Sequence, residues 1–246
     1  MNDLAHDIPH DAAQARYTQR RGQIETYFDR TAADAWARLT STAPVSGIRA
    51  TVRAGRDRMR ATLLDWLPAD LRGMRLLDAG CGTGALAVEA AHRGADVVAI
   101  DLSPTLVALA RERMPPLQNG GRIEFLSGDM LDPALGSFDH VVGMDSVIHY
   151  TPRDVVRVLS GLARRTQGSV LFTFAPGTPL LKLMIGVGRL LPRGDRAPFI
   201  EPVAEQHLRR LIAQDAGLGA FAPGRTLRVS SGFYKSQAFE LVRKQA

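Results

Sequence analysis

The most informative segment of this chain is Leu76-Leu77-Asp78-Ala79-Gly80-Cys81-Gly82-Thr83-Gly84. Its apolar start predicts a buried β-strand, and its three glycines predict a tight turn that opens a helix. In an open α/β sheet, ligands bind outside the carboxyl ends of the strands, beside a turn of this kind. The stretch therefore predicts an α/β domain whose first strand leads directly into a ligand-binding loop.

After residue 73, apolar runs alternate with helical patterns, which is typical of a parallel sheet with crossover helices. We predict strands at 75–79, 96–101, 122–127, 137–144, 169–174, 225–230 and 235–242, with helices at 84–93, 104–114, 153–164 and 204–216. The predicted fold class is a Rossmann-like, doubly wound α/β fold with a mostly parallel, seven-stranded sheet at 73–246. The arginine-rich residues before it lack strand patterns. For them we predict a disordered N-terminus at 1–20 and a helical arm or lid at 21–72.

Composition and charge limit the class of protein and its partners. Hydrophobic residues are 45% of the 246 residues and charged residues 23%, which is ordinary for a globular protein. Cys81 is the single cysteine, so a disulfide framework and a cysteine-rich zinc site are excluded, and we expect no bound metal. Residues 1–15 lack an apolar core and predict neither a signal peptide nor a membrane anchor. The net charge of +6 favours anionic partners, but it does not choose among nucleic acid, lipid and small molecules.

The residue types in the glycine loop indicate which nucleoside cofactor it binds. The glycines are spaced G-x-G-x-G, whereas a dinucleotide loop has G-x-G-x-x-G and places a pyrophosphate on the helix N-terminus. A carboxylate at Asp78, directly before the loop, would repel a pyrophosphate and attract the cationic groups of S-adenosylmethionine. We therefore predict S-adenosylmethionine as the cofactor, bound by Asp78, Gly80, Gly82 and Gly84.

Two more acids follow the next two predicted strands. Asp101 ends the second strand, where a carboxylate can accept both ribose hydroxyls, and Leu102 would flank the adenine. After the third strand, Asp129 would accept the adenine amino group while Met130 packs nearby. The alternatives are a helix cap for Asp101 or its neighbour Ser103, and a surface turn for Asp129. Together with Asp78, the two acids favour the cofactor site.

The residues after the fourth strand would face the transferable methyl group. They read Asp145-Ser146-Val147-Ile148-His149-Tyr150 and lack the Asn/Asp-Pro-Pro-Tyr-like run expected of an enzyme that methylates adenine or glutamine. His149 is the one histidine placed at this edge by the predicted strands. We predict that it contacts the methyl acceptor, with a structural histidine as the alternative.

The arm and an apolar segment supply candidates for acceptor binding. Tyr27, Phe28 and Trp36 form an aromatic patch, and arginines 49, 53, 56 and 60 recur at helical spacing. Such a stripe would hold acidic substituents bidentately, or it is a solvated helix face. Residues 178–191, within an insert at about 176–200, are strongly apolar but shorter than the roughly 20 residues that span a bilayer. We predict a cover over the substrate site that also contacts a membrane, with a buried helix as the alternative.

These motifs together resemble one family. Tyr27-Phe28 with Trp36, the pattern from Val45 to Gly55, the glycine loop and the run Asp145 to Tyr150 are similar to those of magnesium-protoporphyrin IX methyltransferases, within the class I S-adenosylmethionine-dependent superfamily. The resemblance implies methyl transfer to one propionate of magnesium protoporphyrin IX, giving the monomethyl ester in (bacterio)chlorophyll biosynthesis. It also implies that Tyr27 and His149 lie near the reacting carboxylate. With it we predict Arg49, Arg53 and Trp36 as substrate-binding residues.

Other functions remain open at this point. An enzyme of the same fold that methylates a quinone-like or other hydrophobic acceptor is one alternative, because the fold does not determine the substrate. A non-catalytic basic binding module is a further alternative. Nucleic-acid binding is disfavoured, because the aromatic residues are not interleaved with a basic strand surface. We expect a cytoplasmic protein that makes peripheral contact with the inner face of the cytoplasmic membrane. We also expect contact with magnesium chelatase.

Overall fold

The computed structural model describes residues 10–31, 47–117, 120–177 and 200–245, and seven strands lie within them. The strands are β1 (Arg75–Ala79), β2 (Asp96–Asp101), β3 (Arg122–Ser127), β4 (Phe138–Gly143), β5 (Thr166–Phe174), β6 (Phe221–Ser231) and β7 (Tyr234–Arg243). They form one sheet in the order β3-β2-β1-β4-β5-β7-β6, in which β1 to β5 are parallel. Strand β7 runs antiparallel to both β5 and β6. The predicted seven-stranded, mostly parallel sheet is confirmed.

Six helices accompany the sheet in the described residues. They are α1 (His10–Thr26), α2 (Ile48–Asp65), α3 (Ala85–His92), α4 (Pro104–Glu112), α5 (Pro152–Ala163) and α6 (Glu205–Gln214); a π-helical segment, Tyr27–Thr31, continues α1, and 3₁₀ turns lie at Pro133–Leu135 and Ala216–Leu218. Local sequence explains where α4 and α5 begin. Ser103 and Thr151 cap them by accepting backbone hydrogen bonds, and a proline follows each cap.

The core is divided between the two faces of the sheet. Because neighbouring side chains of a strand point to opposite faces, Leu76 and Leu77 belong to different clusters. On one face, α2, α3 and α4 pack on the sheet through residues such as Met59 and Val107. On the other face, α1, α5 and α6 contribute residues such as Leu159. This arrangement is the predicted doubly wound one.

The N-terminus differs from the prediction. Residues 10–20, expected to be disordered, belong to α1, while residues 1–9 lie outside the described part of the chain. Helix α1 has few apolar residues, but Tyr17 and Ile24 stand two turns apart on one side of it and are buried in the core. Packing against the sheet therefore stabilises a helix that its own hydrophobicity does not predict.

The structure tests the predicted bounds of β6 but not the predicted role of the apolar insert. Most of the insert at 176–200 lies outside the described residues, so its role as a cover stays a prediction. Strand β6 begins at Phe221, four residues before the predicted start, and a register irregularity between Pro223 and Thr226 accommodates the proline. Among the residues that the structure describes, no helix is long and apolar enough to cross a membrane.

Candidate active site

A cavity of about 500 Å³ lies at the carboxyl edge of the parallel strands. It is bounded by the glycine loop after β1, the end of β2, the turns after β3 and β4, the arm helix α2, and the end of α1 with its π-helical continuation. Of the predicted site residues, those that line it are Asp78, Gly80, Gly82, Asp101, Leu102, Met130, His149 and Arg53. The topology therefore brings most of the predicted cofactor residues and two predicted acceptor residues to one cavity.

The glycine loop needs its glycines for two different reasons. Gly80 has a φ of +86°, and a Cβ there would stand 2.4 Å from the Cβ of Ser146, so the loop and the turn after β4 touch. Gly84 has a φ of +77° and precedes α3. A Cβ at Gly84 would stand 2.7 Å from the ring of Phe125, so this glycine serves the packing of α3 on β3 rather than the cavity wall.

Asp78 is a buried acid that finds no counter-charge in the described residues. Its side chain lines the cavity, the residue is 2% exposed, and its Oδ2 has no hydrogen-bond partner among those residues. Burial and the neighbouring charge of Asp101 raise the pKa of Asp78 to about 7. An unpaired carboxylate in such a place is costly unless a cationic group is bound beside it. The site thus fits a ligand that carries positive charge, as S-adenosylmethionine does.

Asp101 both organises the loop and faces the cavity. Its Oδ2 accepts a hydrogen bond from the Gly82 amide at 2.8 Å, and its Oδ1 accepts one from the Ser103 amide at 2.9 Å. Burial raises the pKa of this carboxyl. Each oxygen keeps acceptor capacity after one backbone bond, so the carboxylate is able to bind the two hydroxyls of a ribose. The structure gives the helix cap to Ser103, as the cap alternative also allowed, and leaves Asp101 facing the cavity.

Asp129 lies outside the cavity lining, which differs from the predicted contact with adenine. Its carboxylate is paired with Arg21 of α1 and accepts hydrogen bonds from the Tyr17 hydroxyl at 3.3 Å and the Leu131 amide at 2.9 Å. Its neighbour Met130 lines the cavity instead. Asp129 therefore anchors the N-terminal helix to the sheet edge, and its contact with adenine stays a prediction.

On the acceptor side, His149 is buried and lines the cavity, whereas Tyr27 does not. The His149 ring lies 5.6 Å from the ring of Phe28, which also lines the cavity. The Tyr27 ring packs edge-on against Phe28 at 5.1 Å. Phe28 thus contacts both Tyr27 and His149, the two residues predicted to act at the reacting carboxylate as catalytic residues. Trp36, the other predicted aromatic contact, lies outside the described residues.

The predicted arginine stripe of α2 divides along the helix. Arg53, Arg56 and Arg60 line the cavity, whereas Arg49, one turn nearer the start of α2, is exposed and does not. Arg56 forms an ion pair with Asp145 at 2.6 Å, and Arg60 pairs with Asp57 and Glu89. The stripe is therefore not a uniformly solvated face, and Arg53 fits the predicted acceptor role better than Arg49.

Helix α1 contributes contacts that sequence reasoning missed. Arg20 donates from Nε to the carbonyl oxygen of His149 at 2.8 Å, and the ring of Tyr17 stacks on Tyr150 at 5.4 Å. Burial raises the pKa of the Tyr17 hydroxyl, which keeps it a donor to Asp129. The signal available in the sequence is the spacing of Tyr17, Arg20, Arg21 and Ile24, which places them on one side of a helix.

A further link joins the arm to the cofactor side of the cavity. Asp29, in the π-helical continuation of α1, accepts hydrogen bonds from the Ser103 hydroxyl at 3.1 Å and the Thr105 amide at 3.0 Å. Both donors belong to the start of α4, directly after Asp101. The arm is thus held beside both the predicted cofactor residues and the predicted acceptor residues.

Two protein-family models and several known proteins match this chain. A family model described as magnesium-protoporphyrin IX methyltransferase C-terminus matches residues 143–243, and a methyltransferase domain model matches residues 76–168. The chain is 49% identical over 225 residues to the magnesium-protoporphyrin O-methyltransferase of Rhodobacter capsulatus. The match covers 91% of this chain and 97% of that protein. It is 30% identical over 223 residues to the Synechocystis protein of the same name, covering 89% and 95% of the two chains.

A solved structure shares the fold over almost the same length. The crystal structure of magnesium protoporphyrin IX methyltransferase from Synechocystis PCC 6803 with bound SAH matches with a TM-score of 0.79 and 28% identity. The match covers 91% of this chain and 100% of that one. The similarity therefore includes the arm as well as the sheet.

Proposed function

This chain belongs to the magnesium-protoporphyrin O-methyltransferases, and from that premise we propose how its cavity carries out the reaction. The protein is an S-adenosylmethionine-dependent O-methyltransferase of (bacterio)chlorophyll biosynthesis that acts on magnesium protoporphyrin IX. The observation that carries this function is the near full-length similarity to the Rhodobacter capsulatus protein. The acceptor oxygen would belong to one propionate, whose product is the monomethyl ester.

The cofactor half of the cavity follows from its charges and shape. When bound, S-adenosylmethionine supplies an activated methyl group on a positively charged sulfur. The unpaired carboxylate of Asp78 would face the cationic part of the cofactor, and Asp101 would accept hydrogen bonds from the ribose. Leu102 and Met130 line the same cavity and would flank the adenine. These roles rest on burial, charge and position at the strand ends.

The acceptor half needs to orient its substrate rather than deprotonate it. A propionic acid resembles the glutamate side chain, whose pKa is about 4.3, so it is ionised at neutral pH without a general base. His149, which lines the cavity, would orient the carboxylate by a hydrogen bond, and Phe28 would exclude water beside it. Tyr27 packs on Phe28 outside the cavity lining, and the family resemblance alone assigns it a second hydrogen bond to the carboxylate. Correct orientation of reacting groups accounts for about 7–11 kcal/mol in favourable cases. Catalysis here is thus mainly a matter of position and desolvation.

Mass spectrometry of the porphyrin product tests this function. Magnesium protoporphyrin IX incubated with the protein and S-adenosylmethionine is expected to gain one methyl group, and a reaction without cofactor should gain none. The dimethyl ester of the porphyrin should also gain none, because it has no free carboxylate. The proposal would be contradicted if this protein instead methylated a quinone-like phenol. In that case the rate would rise with pH toward the phenol pKa of about 10.

Removing the two proposed orienting groups should reduce turnover in steps. His149→Ala and Tyr27→Phe are each expected to lower kcat at saturating substrates by about tenfold, because each removes one hydrogen bond to a charged oxygen. The double variant should fall well below either single variant, while cofactor affinity stays close to that of the wild type. Equal activity of the double variant and the weaker single variant would exclude one of these residues from the role.

Arg53 is proposed to bind the second propionate. Arg53→Ala is expected to weaken binding of magnesium protoporphyrin IX by about tenfold, and binding of its dimethyl ester much less, since the ester lacks the charge that arginine recognises. Porphyrin fluorescence titration measures both affinities. Arg49→Ala provides the comparison within the same helix. An equal loss at Arg49, or an equal loss for diacid and diester at Arg53, would contradict this assignment.

Two finer points about partners are part of the proposal. We expect contact with magnesium chelatase, and peripheral contact with the inner face of the cytoplasmic membrane through the apolar segment 178–191. That segment lies outside the described residues, so its composition alone supports the membrane contact. Co-sedimentation with anionic vesicles, and binding to purified chelatase subunits, test the two contacts separately.

A further inference from the structure

Asp145, at the start of the turn that carries His149, joins more elements than any role proposed so far requires. Its carboxylate accepts hydrogen bonds from Arg56 of α2 at 2.6 Å and from the Thr173 hydroxyl of β5 at 3.1 Å. From β7 it receives the Tyr234 hydroxyl, 3.1 Å from each carboxylate oxygen, and the Ser236 hydroxyl at 3.2 Å. One carboxylate is thus shared by the arm, the sheet and the acceptor turn.

The backbone of Asp145 is as unusual as its side chain. Among the described residues, Asp145 is the one non-glycine residue with a positive φ, +55°. Its amide donates to the Thr173 hydroxyl at 2.7 Å, so the same threonine holds both the backbone and the carboxylate. Backbone conformations of this kind are maintained where the surroundings over-determine them, and they cluster at functional turns. Ser146, His149 and Tyr150, which line the cavity, follow within the same turn.

The other side of the ion pair lies in the arm. Arg56 is one turn from Arg53 on α2, and both line the cavity. Helix α2 also approaches β7 closely here, because a Cβ at Gly55 would stand 2.6 Å from the Tyr234 ring. Burial and the charge of Asp145 raise the pKa of the Tyr234 hydroxyl, which therefore remains a donor at neutral pH. The contacts of Asp145 join the helix that carries Arg53 to the turn that carries His149.

We propose that Asp145 is a positioning residue for the acceptor, which acts by holding Arg53 and His149 at a set separation across the cavity. The inference rests on the proposed function, since it assigns these two residues to the porphyrin. It extends that function, because none of the roles above uses Asp145, Arg56 or Tyr234. Its specific consequence is that loss of the ion pair impairs the acceptor reaction while the cofactor site, built on Asp78 and Asp101, stays intact.

Asp145→Asn tests this proposal, because asparagine tolerates a positive φ and keeps the side-chain size while it removes the charge. We expect kcat/KM for magnesium protoporphyrin IX to fall by about thirtyfold, with a lower kcat and a higher porphyrin KM. The dissociation constant of S-adenosylhomocysteine, measured by calorimetry, should stay within about twofold of the wild-type value. Arg56→Gln should lower kcat/KM for the porphyrin in the same way, and Arg56→Lys should lower it less. In the Asp145→Asn/Arg56→Gln double variant, the fold-loss of kcat/KM should be smaller than the product of the two single fold-losses.

Glu240→Gln is the matched control for a general loss of stability. Glu240 is also a buried carboxylate paired with an arginine, Arg225, but neither residue lines the cavity. Equal melting temperatures of Glu240→Gln and Asp145→Asn, with an acceptor defect only in the latter, would support the proposal. It would be overturned by wild-type kcat and KM in Asp145→Asn, or by an equal weakening of cofactor and acceptor.

A second variant keeps the test decisive if Asp145→Asn does not fold. Tyr234→Phe removes one hydroxyl and leaves the ring against Gly55, and it should lower acceptor kcat/KM by about fivefold with cofactor affinity unchanged. Wild-type kinetics in Tyr234→Phe would then overturn the proposal. A wild-type protein that does not methylate magnesium protoporphyrin IX would instead overturn the proposed function, so the two failures are distinguishable.

Discussion

Replacing Asp78 with asparagine is expected to weaken binding of S-adenosylmethionine and S-adenosylhomocysteine by about a hundredfold, because it removes a buried charge that faces a cationic ligand. The same variant should fold at least as stably as the wild type when no cofactor is present. The reason is that the carboxylate is buried, 2% exposed, and has an oxygen without a partner in the described residues. Calorimetric titration and thermal unfolding measure the two effects.

The pKa of Asp78 adds a pH dependence with a defined sign. Burial and the neighbouring charge of Asp101 raise this pKa from its ordinary value of 3.8 to about 7, so the folded protein binds the proton more tightly than the unfolded chain. The free energy of unfolding of the cofactor-free protein should therefore contain a component that falls as pH rises from about 4 to about 7, worth about 1.4 kcal/mol for each unit of the pKa difference. Cofactor affinity should have the opposite trend, because the ionised carboxylate binds the cation. Asp78→Asn should remove both components.

Asp96→Asn is the control for Asp78→Asn. Asp96 begins β2, at the edge of the sheet opposite the cavity, where it pairs with Arg122. Its substitution should leave cofactor affinity unchanged between pH 6 and pH 8. A wild-type cofactor affinity in Asp78→Asn at pH 8 would remove Asp78 from the proposed cofactor site.

Gly80→Ala is the substitution expected to cost the most folding stability at the site. The new Cβ would stand 2.4 Å from the Cβ of Ser146, and the residue would have to adopt a φ of +86°. Overpacking costs about 1–3 kcal/mol, and a left-handed non-glycine residue adds about 1–2 kcal/mol. Chemical denaturation should give a loss near the sum of these, together with a large loss of activity, since Ser146 lies in the turn of His149.

Two variants separate the steric and backbone components of the Gly80→Ala effect. Gly82→Ala has a similar positive φ, +53°, but nothing lies within 4 Å of its Cβ, so it should lose only the backbone component. Ser146→Gly removes the atom that Gly80→Ala strikes, and the double variant should regain stability relative to Gly80→Ala alone. Equal losses in Gly80→Ala and Gly82→Ala, with no recovery in the double variant, would contradict the contact.

Local pattern was sufficient to predict the sheet and to place most of the predicted cofactor residues around one cavity. Strands β1, β2 and β3 have the predicted bounds, because each is a short apolar or β-branched run between turn residues. The residues at and just after the carboxyl ends of these strands are predictable for a topological reason, since parallel strands end at one edge. Asp78, Asp101 and Met130 accordingly line one cavity.

What could not be predicted depends on contacts between distant segments. The partner of Asp129 is Arg21, and the partners of Asp145 include Arg56 and Tyr234, and no local spacing relates these residues to one another. A side chain's direction also matters: Tyr27 and Phe28 are neighbours, but only Phe28 lines the cavity. Sequence reasoning therefore predicted that His149 lies at the edge that carries the cavity, but it did not predict the arrangement of the groups around it.

The position of β7 in the sheet has a consequence for the order in which this enzyme matures. Strand β7 is the last of the described strands in the chain, but it lies between β5 and β6. Tyr234, the first residue of β7, and Ser236 in the same strand both bind Asp145. Domains generally fold as units, and β7 fills an interior place in this sheet, so the sheet is complete only after β7 has been synthesised. Until then the turn that carries His149 would lack the Tyr234 and Ser236 hydroxyls that bind Asp145.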